Sequence, residues 1–219
     1  MKKFLKVLEK CPLFADIKSE ELIKMLACLG AKVDFFDKKY TVFAEARPAK
    51  HIGIRLSGTA HVVQIDYYGN RSILSEIAEG EVFGEAFACA GTKSLPVSVI
   101  ADEPCEVMLI EAERILHTCQ NGCSFHNKLI YNLMKDLAEK TIAFHQRVEI
   151  TSKRTTAEKL LAYLDFYSKK TGKSEFDIPF DRQELADYLE VDRSGLSAEI
   201  SKLQRAGIIS ARKNHFALL

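Results

Sequence analysis

No apolar run in the 219-residue chain approaches the ~18–20 residues that a membrane-spanning helix needs. The N-terminal stretch "MKKFLKVLEKCPLF" lacks a continuous apolar core and a small-residue cleavage site. No signal peptide is expected, and a cytoplasmic location follows. The six cysteines, at 11, 28, 89, 105, 119 and 123, include no CxxC pair and no dense framework. They read as reduced, largely buried thiols. Cys119 and Cys123 are spaced to share a helix face, but no second pair stands near them to complete a metal site. The histidines at 51, 61, 117, 126, 145 and 215 form no pattern, and no nucleophile–base set is visible. No catalytic residue and no metal ligand is therefore assigned, and an enzyme is not expected.

The charge is distributed unevenly. Residues 1–150 carry 19 Lys and Arg against 20 Asp and Glu, whereas residues 151–219 carry 12 against 10. Between 193 and 213 five basic residues (Arg193, Lys202, Arg205, Arg212, Lys213) face Glu199 alone. A basic patch on a near-neutral chain suits a polyanionic partner.

The pattern of apolar residues divides the chain. "EELIKMLACL" spaces Leu22, Ile23, Leu26 and Leu29 as a helix, with Ser19 as its N-cap. From about 32 to 110, short apolar runs such as "HIGIRLSG", "TAHVVQID", "VSVIA" and "EVMLIE" alternate with turn residues, which predicts an all-β, barrel-like unit. A short helix is expected over 111–118. A long one follows from Ser124 to Glu149, free of Gly and Pro, with Ile130, Leu133, Leu137, Thr141, Phe144 and Val148 on one stripe widened by Met134 and Ala138. At about 37 Å it exceeds what one small β-unit needs as a cover, so part of the stripe is expected to meet a second chain. The polar segment "ITSKRTTAEK" marks a boundary near 150.

The most specific stretch is "DRQELADYLEVDRSGLSAEISKLQRAGI", residues 181–208. Asp181 and Glu184 form a capping-box pattern, and Leu185, Ala186 and Leu189 make one inner face. After the turn Glu190-Val191-Asp192, a second helix carries Leu196, Ile200 and Leu203 inward. This is the layout of a helix-turn-helix, followed in "GIISARKNHFALL" by a hairpin turning at Lys213-Asn214. On the outer face of the second helix lie Arg193, Ser194, Ser197 and Ala198, where side chains reach base edges first. Arg182, Gln183 and Lys202 are placed for phosphates.

Taken together, these stretches resemble bacterial transcription regulators of the CRP/FNR family over residues 5–219. "LSG" (56–58), "GEVFGE" (80–85), "CEVMLI" (105–110) and "DRQELADYL…VDRSGLS" carry the resemblance. It implies an α+β fold: a jelly-roll-like β-roll (a double-stranded β-helix) as a cyclic-nucleotide-binding-like sensor over 1–123, a long dimerisation helix over 124–150 and a winged helix-turn-helix over 151–219. It also implies a homodimer, with Ile130, Leu133, Leu137 and Phe144 at the interface. The partner would be double-stranded DNA with a near-palindromic operator, and RNA polymerase is a candidate partner. The competing reading is a cyclic-nucleotide-binding regulatory module without DNA binding.

In family members that bind cyclic AMP, the loop after "FGE" holds the phosphate through an Arg-Ser pair. Here Gly84 and Glu85 match, but the Arg-Ser position falls on Leu95-Pro96. Leu brings no charge, and Pro brings neither hydroxyl nor N–H. Thr141 falls where a helix residue reaches the adenine. The effector pocket is thus expected around Gly84, Glu85, Leu95, Pro96 and Thr141, with an effector other than cyclic AMP and with the effector and any cofactor unknown. The iron–sulfur branch of the family needs clustered N-terminal cysteines, and Cys11 and Cys28 are too few and too far apart.

Overall fold

The computed structural model describes residues 2–65, 67–68, 71–117 and 124–219. Cys119 and Cys123 lie outside these. The chain forms two compact units, Met1–Glu139 and Lys140–Leu219. The long helix is shared between them rather than standing as a segment of its own.

The first unit begins with helices α1 (Leu5–Leu8) and α2 (Ser19–Cys28). On α2, Leu22, Met25 and Leu26 are buried, as their spacing requires. Ser19 is not the cap. It is the first helical residue, Lys18 holds the cap position without a side-chain bond, and the Ser19 hydroxyl donates to Glu9 (2.6 Å). The β-strands follow as β1 (Lys32–Phe36), β2 (Thr41–Phe43), β3 (His51–Ser57), β4 (Ala60–Ile65), β5 (Arg71–Ile77), β6 (Val82–Phe83), β7 (Ser98–Ala101) and β8 (Cys105–Glu111). Among the described residues they make two four-stranded sheets, ordered β1-β8-β3-β6 and β2-β7-β4-β5, with antiparallel pairing throughout.

Strand alternation explains why β8 reads as one apolar run. Cys105 and Val107 enter a core with Ala60, Ile77 and Val99 of the other sheet. Met108 and Ile110 enter a different core, with Ile52 and Ile54 of β3 beneath Leu22 and Leu26 of α2. A strand apolar on both faces must be covered on both. By contrast, β1 shows little burial, with only Val33 and Phe36 half-buried. Helix α3 (Glu85–Cys89) and helix α4 (Ala112–Leu116) flank the roll, and α5 (Ser124–Thr151) follows.

On the part of α5 within the first unit, His126, Leu129, Asn132, Leu133 and Asp136 form the buried face. His126 Nε2 lies 2.9 Å from the Ile115 carbonyl, and the Asn132 amide donates to the carbonyls of Leu13 (3.1 Å) and Ala15 (2.9 Å). Leu133, expected at the dimer interface, is 2% exposed in this core, and Leu137 packs partly buried against it. The helix must cover its own unit first, and that requirement takes Leu133 from the outer stripe. The face left open carries Tyr131 and Met134, with Ile130 half-buried between the two faces.

In the second unit the end of α5 contributes Ile150 to a core shared with α6 (Thr156–Thr171), α7 (Arg182–Leu189) and α8 (Arg193–Arg205). Strands β9 (Glu175–Asp177), β10 (Ile209–Arg212) and β11 (His215–Leu218) complete it as a sheet ordered β10-β11-β9. Here α5 leaves Ile142, Phe144 and Val148 exposed.

Candidate nucleic-acid interface and sensor cradle

The helix-turn-helix is set by caps at each corner. Asp181 accepts from the amides of Gln183 (2.7 Å) and Glu184 (2.9 Å), and Glu184 reaches back to the Asp181 amide (2.7 Å), closing a capping box. Helix α7 ends on Glu190 in the left-handed region (φ 54°). Lys159 of α6 donates to the carbonyls of Leu189 (3.1 Å) and Glu190 (3.4 Å), placing a cation at the negative end of α7. Asp192 then caps α8 through the Gly195 amide (2.9 Å) and accepts from the Ser194 hydroxyl, which holds its carboxyl below the usual range. Leu185, Ala186, Leu189, Leu196, Ile200 and Leu203 are buried between the helices.

The outer face of α8 presents Arg193, Ser194, Ser197, Ala198 and Lys202, all exposed. The Arg193 side chain makes no hydrogen bond or ion pair among the described residues, its carbonyl accepts from the Ser197 hydroxyl (3.0 Å), and Lys202 lies 3.2 Å from Glu199. The Glu199 side chain is only 22% exposed, so it turns away from the outer face. Arg182 lies half-buried with its guanidinium 5.0 Å from the Phe216 ring. That packing lowers its pKa through desolvation, yet an Arg remains a cation. The side chain of Gln183 donates to Asp187 (2.9 Å). An open cleft of about 660 Å³ is lined by Arg182, Gln183, Arg193 and the hairpin tip Lys213-Asn214. It gathers three cations from three elements beside the capping carboxylates of Asp181 and Glu184, and the cations suit contact with a phosphate backbone.

The cradle in the first unit is different. Gly84 adopts φ 76°, and a Cβ there would meet the Phe43 ring at 2.6 Å, so only Gly fits. Glu85 is 5% exposed and opens α3. Leu95 is 6% exposed, and both its backbone groups are used: its amide donates to Arg47 (2.9 Å) and its carbonyl accepts from Ala46 (2.9 Å). The space left beside Gly84 and Leu95 is about 40 Å³. Sites for small molecules occupy about 300–1,000 Å³. Pro96 is exposed at the loop surface, and Thr141 is an exposed residue of α5 in the second unit. The expected pocket residues therefore do not enclose a ligand-sized cavity.

Residues 33–121 match the family model of the cyclic nucleotide-binding domain, and residues 157–219 match that of the Crp-like helix-turn-helix domain. The chain belongs to the CRP/FNR family of DNA-binding transcription regulators. No curated protein matches the sequence. In fold it is similar to the c-di-GMP-responsive global regulator CLP of Xanthomonas campestris, at 19% identity and TM-score 0.56 over 92% of this chain and 99% of that one. It is likewise similar to DNR of Pseudomonas aeruginosa, at 20% identity and TM-score 0.53 over 100% of this chain and 95% of that one.

Two features of this CRP/FNR regulator carried no sequence signal. Lys159 looks like any helical lysine until α6 is seen against the end of α7. The cleft at Lys213-Asn214 also required the fold, because the hairpin turn is separated from Arg182 by about thirty residues of chain. No helix among the described residues is long and apolar enough to cross a membrane.

Proposed function

We propose that this regulator acts in the cytoplasm as a homodimer that reads a near-palindromic operator, without catalytic activity of its own, under control of an effector other than cyclic AMP. The observation that carries the DNA reading is the free, exposed Arg193 at the start of α8, beside a cleft walled by Arg182 and Lys213. Arg193 donates two hydrogen bonds to a guanine edge. Ser194 and Ser197, small and exposed, let the helix lie deep in the major groove. Arg182, Gln183, Lys202 and Lys213 hold phosphates. The exposed apolar residues of α5, Tyr131 and Met134 in the first unit and, taken separately, Ile142 and Phe144 in the second, are the surfaces offered to a second copy. RNA polymerase is the expected partner of the DNA-bound dimer. The closed cradle supports the statement about cyclic AMP: Leu95-Pro96 stands in place of the Arg-Ser pair, and about 40 Å³ leaves no room for the phosphate.

Selection from a random DNA pool tests this reading. It should return paired half-sites one helical turn apart, about 34 Å. Failure to enrich any motif, with or without cell extract as a source of effector, overturns it.

A further inference from the structure

Next to the closed cradle lies a cavity of about 420 Å³, which shares the wall Pro48-Ala49-Lys50-His51 with it. We propose that the first unit binds its effector in this neighbouring cavity, and that the effector is a small planar molecule that carries both an anionic group and a hydrogen-bond donor. This rests on the reading of the first unit as a sensor.

The chemistry follows from the lining. Ala49, Ala88 and Ala112 contribute small apolar surfaces from three different elements, which suits a flat ring. Lys50, just before β3, and Lys93, after α3, supply cations, and Thr92 supplies a hydroxyl, so an anionic group is held there. Glu111 and Glu113, at the end of β8 and in α4, line the cavity as well. Arg114 lies 2.8 Å from Glu111 and holds that carboxyl below its usual range. An ionised carboxylate only accepts, so the ligand group that meets it must donate. The volume falls within the range of small-molecule sites, about 300–1,000 Å³.

The cavity is also wired to the helix that the family uses for assembly. Helices α3 and α4 pack on each other, and Ala88 and Ala112 put one residue of each into the cavity wall. The Ile115 carbonyl of α4 lies 2.9 Å from the buried His126 ring of α5. A ligand that spreads α3 from α4 therefore pulls on the first turns of α5.

The test is an amide-shift titration of the full-length, ¹⁵N-labelled protein with 4-aminobenzoate and, separately, with cyclic AMP. 4-Aminobenzoate should give saturable shifts at millimolar concentration in residues 49–51, 91–93 and 111–113. Lys93→Glu, an exposed loop change, should weaken this at least about tenfold, or 1.4 kcal/mol, and Lys93→Arg should retain it. Cyclic AMP should leave these residues unmoved. The cavity is overturned by the absence of saturable shifts, by shifts centred on Gly84 and Leu95, or by an unchanged Lys93→Glu response. Operator binding is measured on the same preparation. Protein that binds DNA but takes no probe sinks the cavity alone, whereas protein that binds no operator sinks the regulator reading.

Discussion

Arg193 and Leu95 stand at corresponding points of their units, each beside a helix start where a ligand is expected. Arg193 is exposed and unpaired among the described residues, with a cleft beside it. Leu95 is buried, its backbone tied to both sides of the neighbouring loop, with about 40 Å³ of space left. In the second unit the core ends below the functional surface. In the first the core has grown through it. The frame of a site, then, outlasts its contents: the left-handed backbone at 84 and the Phe43 ring against it both still require Gly, whatever the cradle holds.

The contrast between inner and outer positions is tested most sharply on α5, where two adjacent residues differ. Leu133→Asp places a charge in the core of the first unit, should cost several kcal/mol and should prevent folding. Met134→Asp, one position along and 64% exposed, should leave the fold intact and turn dimer into monomer. Sedimentation with circular dichroism separates the two outcomes, and a folded dimer of Met134→Asp would remove the seam from this face.

At the DNA surface, Arg193→Ala should weaken operator binding by about 1–3 kcal/mol and relax the preference at one base position. Lys213→Ala should weaken binding evenly across sequences and lower the salt slope by about one ion. Equal behaviour of the two variants in a competition assay would show that Arg193 touches only phosphate.

In the cradle, Leu95→Arg with Pro96→Ser supplies the guanidinium and the hydroxyl that the loop lacks. Cyclic AMP affinity should rise by about tenfold or more in calorimetry, since a charge-assisted bond contributes about 1.5–3 kcal/mol. No gain would show that the loop, and not only its side chains, has left the nucleotide-binding form.

The smallest effect concerns the wing. His215 on β11 lies 2.9 Å from both Glu175 and Asp177 of β9, and their carboxylates raise its pKa. A raised folded-state pKa stabilises below the unfolded value, about 6.5, and the contribution fades as pH rises through the folded value. The second unit should lose a little thermal stability on going from mildly acidic to alkaline pH, and His215→Gln should flatten that part of the profile. Lys213 and Arg212 neighbour His215 in the hairpin and temper the effect.

Legibility followed the locality of each feature. The capping box at Asp181 and Glu184, the turn at Glu190 and the hairpin turn at Lys213 are set by residues within a few positions, and the structure has them where the spacing puts them. The two cores of the β-roll could be foreseen only as apolar runs, because what covers each face of β8 lies far away in sequence. The same limit governed α5, where an apolar stripe does not reveal which of its edges the chain itself will occupy. The cavity beside His51 was invisible for the strongest form of this reason, since its walls come from β3, the loop after α3 and the junction of β8 with α4.

The two-faced strand β8 has a consequence for how such a chain can change. Cys105 and Val107 belong to one core, and Met108 and Ile110 belong to another. Losing or gaining a single residue inside this stretch would exchange the occupants of both cores at once. Substitutions can accumulate there singly, but insertions and deletions cannot, so the strand keeps the reading frame of the whole sensor while the loops around it drift.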